Sequence, residues 1–200
     1  MIVRMRQRTL HSLRRTLALF PLFALLIGCN RNPVHASDSV MADATMDVRA
    51  ATGNRLVGKL YLSNGRLRID WGVFAEIFDL NKRTGWRIFD SSKIYMDLAD
   101  KDLSTYAPEM TNGSLCPHTQ VPSACKFVGK EEMNGRAADK WDVWNPRGFH
   151  VYYWTDDKLA ITLRCEIGAT TYEVKNLRSA LFRDTMFELP AGYERTQRLP

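Results

Sequence analysis

The chain has 200 residues, 28 of them lysine or arginine and 22 aspartate or glutamate, for a formal net charge of +6. Five arginines (Arg4, Arg6, Arg8, Arg14 and Arg15) lie in the first 28 residues, which hold no acidic side chain; without them 23 basic groups face 22 acidic ones. The remainder is therefore close to neutral and lacks the basic footprint that a nucleic-acid partner requires. It also carries no Gly-x-Ser-x-Gly, no His-Glu-x-x-His and no phosphate-cradling glycine loop, so it reads as a protein that is not an enzyme and holds no cofactor.

In chain order, the basic segment leads into an apolar run over residues 17–27 and then Gly28-Cys29. A basic flank, a short apolar stretch and a small residue before the cut form a secretory signal. The run is too short to span a bilayer, which takes about 18 residues or more. Leu26-Ile27-Gly28-Cys29 resembles the lipobox of bacterial lipoproteins. That resemblance implies cleavage between Gly28 and Cys29, a diacylglycerol on the Cys29 sulfur and acylation of the freed amine, which together give firm membrane anchoring. In the lipoprotein sorting pattern an Asp after the cysteine favours the inner membrane. Asn30 stands there instead, so the expected location in a Gram-negative cell is the periplasmic face of the outer membrane.

Residues 29–41 are polar and aperiodic and read as a flexible tether, leaving 42–196 as one domain. Export places Cys116 and Cys125 where disulfides persist, and the loop between them, with Pro117 and Pro122, is easily closed. Closure is expected to contribute on the order of 2–3 kcal/mol. Cys116, His118 and Cys125 lack a nearby fourth ligand and do not make a tetrahedral zinc spacing, so no metal site is expected. Cys165 reads as a buried thiol.

Turn signals recur every 8–12 residues along the domain. Gly53-Asn54, Asn64-Gly65 and Asn134-Gly135 each divide two strand-like runs, a hairpin signature. Between the turns the period is two: Leu67, Ile69 and Trp71 share a face against Arg66, Arg68 and Asp70, and Ile94, Met96 and Leu98 align likewise. This alternation predicts a mainly β fold, a curved antiparallel meander forming a half-open barrel. Helix is expected only as a turn or two within 100–110 and a short turn from Asp184 to Phe187. The 99–124 segment and the C-terminal tail are the candidates to cover the concave face.

The order of short motifs resembles the LolA/LolB superfamily, and within it a branch of small exported proteins of unknown function. The motifs are Gly58 to Asp70, Ile77 to Trp86, Ser91 to Asp97, the cysteine pair, Asn134 to Trp141 and Met186 to Tyr193. The resemblance implies a half-barrel of about eleven strands with an apolar cavity that accepts acyl chains. No position matches the carriers' lid arginine or the receptor's protruding apolar loop. Trp71, Phe78, Trp86, Trp141 and Trp154 are the expected cavity lining. The functional expectation is an envelope lipoprotein that binds an acyl chain, a lipid or a lipidated partner in the concavity. The alternative is a structural or interaction lipoprotein whose barrel is permanently plugged.

Overall fold

The computed structural model describes residues 39–48, 53–109, 115–116, 124–145 and 147–197. The expected leader, Gly28, Cys29 and the tether as far as Asp38 lie outside the described residues.

Twelve strands among the described residues form one sheet. They are β1 (Val40–Val48), β2 (Arg55–Ser63), β3 (Arg66–Asp70), β4 (Ala75–Asp79), β5 (Thr84–Phe89), β6 (Ile94–Leu98), β7 (Cys125–Met133), β8 (Arg136–Trp144), β9 (His150–Asp156), β10 (Ile161–Ile167), β11 (Thr170–Ser179) and β12 (Glu194–Arg195). One helix, α1 (Asp100–Leu103), follows β6, and a 3-10 turn spans Asp184–Phe187. Both short helical segments fall where the sequence places them.

The spatial order is β12-β6-β5-β4-β3-β2-β1-β11-β10-β9-β8-β7, so the sheet is open and β1 sits near its middle. Every pairing is antiparallel except that of β12, which runs parallel to β6. A twisted sheet this wide curls, because about ten strands is the usual limit for an open one. Two hairpins follow directly from local chemistry. Asn64-Gly65 takes φ of 51° and 70°, and Asn134-Gly135 takes 52° and 79°, the left-handed pairs that suit the twist of the flanking strands.

This order imposes one demand on the chain. β6 and β7 are consecutive strands, yet β7 stands at one end of the sheet and β6 next to the other, so the chain between them has to connect strands that are not neighbours. The described part of that connection runs over the concave face, where Leu103, Tyr106, Ala107 and Leu115 join the main core. The C-terminal tail takes the opposite face. Phe182, Met186, Phe187 and Leu189 pack on Tyr61, Ile77, Trp86, Ile88 and Tyr95 as a second cluster. Arg66 ties the tail through Asp184 at 3.1 Å, and Arg68 donates to the Met186 carbonyl at 3.1 Å. The tail is thus no part of the cover over the concave face.

Two glycines make room for that core. A Cβ on Gly58 would lie 2.4 Å from the Asp70 carbonyl oxygen and 2.9 Å from the Trp71 ring. One on Gly85 would lie 2.0 Å from the Ile77 carbonyl oxygen and 2.9 Å from the Phe78 ring. Overpacking of this kind costs about 1–3 kcal/mol. Gly85→Ala is therefore expected to lower the unfolding midpoint in urea by a corresponding amount, and an unchanged midpoint would contradict the close approach.

Candidate functional site

Strand alternation sets which side chains meet on the concave face. Across β8, β9, β10, β11, β1 and β2, one rank runs Trp141, Tyr153, Cys165, Tyr172, Met46, Leu56. Toward the other end a second rank runs Leu62, Leu67, Phe78, Gly85, Leu98 from β2 to β6. A third, beside it, runs Leu60, Ile69, Glu76, Arg87 from β2 to β5. Along these ranks Glu76 and Arg87 are the charged residues among the apolar and aromatic ones.

Tyr106 is the centre of the segment that crosses this face. Its ring lies 5.1 Å from the Tyr172 ring, 6.0 Å from Phe78 and 6.5 Å from Trp71, in tilted or edge-on contacts. Its carbonyl accepts a hydrogen bond from the Thr162 N–H at 2.7 Å, so the crossing segment is fastened to the sheet by its backbone as well. Upstream, the Asp102 carboxylate accepts the Ala99 N–H at 2.9 Å and fixes the start of α1. Downstream, the expected Cys116–Cys125 disulfide is present, with a Cα–Cα distance of 5.2 Å, and ties Leu115 to the start of β7. His118 and Met110 lie outside the described residues.

Glu76 is 1% exposed. One of its oxygens accepts Arg87 Nε at 3.0 Å and Nη2 at 2.5 Å, and the other accepts Trp71 Nε1 at 3.3 Å. The Tyr106 hydroxyl is turned to the same carboxylate, and burial followed by that negative charge holds its phenol well above the ordinary tyrosine range. Tyr172 is fully buried, and its hydroxyl has no hydrogen-bond partner. Burial, then Glu76 and Cys165, raise its pKa too. A buried polar group without a partner is a costly exception that calls for an explanation.

Of the five aromatic residues expected to line a cavity, the structure brings three together on the concave face: Trp71, Phe78 and Trp141. Trp141 donates to Thr155 Oγ1 at 3.1 Å and packs against Phe127 at 5.0 Å. Trp86 and Trp154 face the other way. Trp86 pairs with Ile77 and Asp97 beneath the C-terminal tail. Trp154 pairs with Lys140 and Arg164, whose cations lie 4.7 and 5.3 Å from its ring, and donates to Glu131 at 2.6 Å. A strand's period of two separates its residues into two faces without saying which face is concave, and aromatic character alone does not place a tryptophan on either. His150 stacks between Trp144 and Tyr152 on that same outer face, beside Asp142 at 2.7 Å. Two clefts, of about 320 and 330 Å³, open around Phe74 and Ser91 and around Leu159 and Leu177; none of the five aromatic residues lines either.

The residues that sequence reasoning missed are Glu76, Arg87 and Tyr172. The signal was available in part, because alternation puts Glu76 two residues from Phe78 and so on the same face. A charge at a core-facing position marks either an error or a site.

No family model matches the chain, and no curated protein matches it in sequence. Solved structures resemble it in shape. An uncharacterized conserved protein from Thermus thermophilus aligns with a TM-score of 0.51 at 11% identity, covering 81% of this chain and 91% of that one. PNGF-II aligns at 0.50 and 8% identity, over 79% of this chain and only 30% of that chain. A putative outer membrane lipoprotein-sorting protein domain from Vibrio parahaemolyticus aligns at 0.39 and 10% identity, over 76% and 90%. The likeness to the first two is one of fold alone, and identities this low carry no activity across.

Two outcomes follow from the buried groups. Arg87→Met leaves Glu76 as an uncompensated buried carboxylate and is expected to cost about 3–5 kcal/mol in urea unfolding. Adding Glu76→Gln to that variant should restore most of the loss; no recovery would mean that Arg87 acts by packing alone. The Cys165 thiol, ordinarily near 9, is pushed up to about 12, chiefly by burial, with Glu166 adding to the rise and a hydrogen bond from Tyr153 opposing it. The folded state thus holds protons that the unfolded chain releases, as it also does at Tyr106, Tyr153 and Tyr172. The contribution of these groups to stability should therefore be constant between about pH 6 and 9 and fall between about 9 and 12. A flat urea midpoint across that window would contradict the burial.

Proposed function

We propose that the chain is an exported envelope lipoprotein, anchored through lipid on Cys29 at the periplasmic face of the outer membrane. In this reading its half-barrel domain takes an apolar ligand on the concave face, an acyl chain or the lipid of a modified partner. The leader sequence and lipobox support the anchoring. The LolA/LolB-like motif order and the open antiparallel sheet support the half-barrel. The observation that carries the ligand is the wall itself. Trp71, Phe78, Trp141, Tyr153 and Tyr172 share the concave face with Leu and Val side chains, and among the described residues the segment over that face holds one turn of helix, Asp100–Leu103. Residues 99–109 then act as a resident plug that the ligand replaces.

One observation favours the other reading, a plug that never leaves. Tyr106 is buried and fastened through its backbone to Thr162, so displacing it breaks a sheet hydrogen bond. Lipid analysis separates the two. Protein recovered from its native envelope is expected to yield, on organic extraction, one extractable acyl lipid per chain in addition to the covalent lipid on Cys29. Tyr106→Ala should keep that lipid and hold it through detergent washes that strip the native chain. If extraction never gives a stoichiometric lipid, for the native chain or for Tyr106→Ala, the permanent plug stands. Mass spectrometry of the N-terminal peptide checks the Cys29 modification. Membrane fractionation checks the location, and recovery in the inner membrane alone would refute the outer-membrane assignment.

A further inference from the structure

We propose that the cleft at the start of β1 and the end of β11 is a membrane-docking site that holds the phosphate of an anionic phospholipid head. The choice of a membrane lipid rests on the reading that Cys29 carries the anchor. None of the aromatic residues assigned to the concave-face ligand lines this cleft.

Local chemistry builds it. Asp156 ends β9 and is 2% exposed. One of its oxygens accepts the N–H of Lys158 at 3.0 Å and of Leu159 at 3.1 Å, a turn in which the side chain fixes the backbone that follows it. The other oxygen accepts Arg136 Nε from the start of β8. On β1 and β11, Val40 pairs with Ser179. These pieces enclose about 330 Å³, lined by Val40, Arg136, Lys158, Leu159, Leu177, Arg178 and Ser179.

The charges of this cleft do not balance. The turn's own carboxylate, Asp156, is already neutralised by Arg136, and Asp157 does not line the cleft. Lys158 and Arg178 are exposed, and neither is in an ion pair among the described residues. Asp43 attracts Arg178, but Lys59 and Asn176 hold its two oxygens. Two cations are thus in excess, with the exposed Ser179 on the same cleft.

Such a set favours an oxyanion, which accepts charge-assisted hydrogen bonds from lysine and arginine. Val40, Leu159 and Leu177 give the same cleft an apolar part, so an oxyanion esterified to hydrocarbon fits it better than a free one. Position selects the membrane as the source. Val40 is eleven residues beyond Cys29, a span of at most about 36–40 Å, so an anchor there keeps lipid heads within reach of this cleft at high effective concentration. Basic groups held near an anionic bilayer surface are attracted to it.

The test places the lipidated protein on vesicles of phosphatidylcholine alone, or of an equal mixture with phosphatidylglycerol, and follows thermal unfolding by tryptophan fluorescence. Phosphatidylglycerol is expected to raise the unfolding midpoint by several degrees. Lys158→Gln with Arg178→Gln should abolish the rise. Lys93→Gln with Arg183→Gln, at two exposed cations that do not line the cleft, should leave it intact. No rise, or a rise that both pairs of substitutions reduce equally, overturns the site. Inorganic phosphate added to phosphatidylcholine vesicles should give no comparable shift. A shift as large as that of phosphatidylglycerol, and lost with Lys158 and Arg178, assigns the cleft to a free anion and overturns the membrane occupant. Protein that stays on neither kind of vesicle shows instead that the anchor reading is wrong. Sedimentation of the unanchored chain with phosphatidylglycerol vesicles then decides the cleft. Sedimentation that requires Lys158 and Arg178 supports it, and sedimentation that is absent or unchanged in the double variant overturns it.

Discussion

β6 and β7 follow one another in sequence but stand far apart in the sheet, and the described residues after β6, through Tyr106, lie over the concave face, where much of the core is arranged around them. An open sheet with one apolar face cannot leave that face in water, so something must cover it. Here the cover and the connection are the same piece of chain. Its one turn of helix buries Leu103, its carbonyl at Tyr106 takes a backbone hydrogen bond from Thr162, and its far end is held by the disulfide to β7. Coverage by so short a segment needs large side chains in the right places, which is why Tyr106 sits among three aromatic rings.

The two faces of the sheet are stabilised by different means. The concave face relies on close packing, to the point that Gly58 and Gly85 must be glycine for Trp71 and Phe78 to lie flat against their neighbours. The outer face is divided. Under β2 to β6 it is covered by the C-terminal tail, which closes a second apolar cluster. Along β8 to β10 it is left to charged side chains whose cations lie over Trp154, with carboxylates alongside. Exposed ion pairs contribute little individually, but a cation over a largely buried indole also shields apolar surface. Trp154, a member of the main buried cluster, is thus flanked by Lys140, Arg164 and Glu131.

Against that background the Glu76 corner stands out. Every other member of its rank is aliphatic until Arg87, and a carboxylate there is paired at the expense of its hydration. A leucine would pack the same space at lower cost if stability were the only demand.

Much of this was legible in the residues themselves. Alternation over Arg66–Trp71 and Ile94–Leu98, the Asn-Gly hairpins, the short turns at Asp100 and Asp184 and the loop between Cys116 and Cys125 depend on neighbours a few positions apart, and local chemistry decides them. The same reasoning grouped Trp71, Phe78 and Trp141 as interior. It could not tell that Trp86 and Trp154 point outward, because period two sorts a strand's residues into two sets without assigning either set to the concave side. Nor could it bring Tyr172 to Tyr106, which depends on β11 folding back beside β1 at the middle of the sheet. The sequence by itself determined the strands, the turns and the need for a cover. Tertiary structure decided which face was covered by what, because curvature and strand order are properties of the whole sheet and are encoded in no single segment.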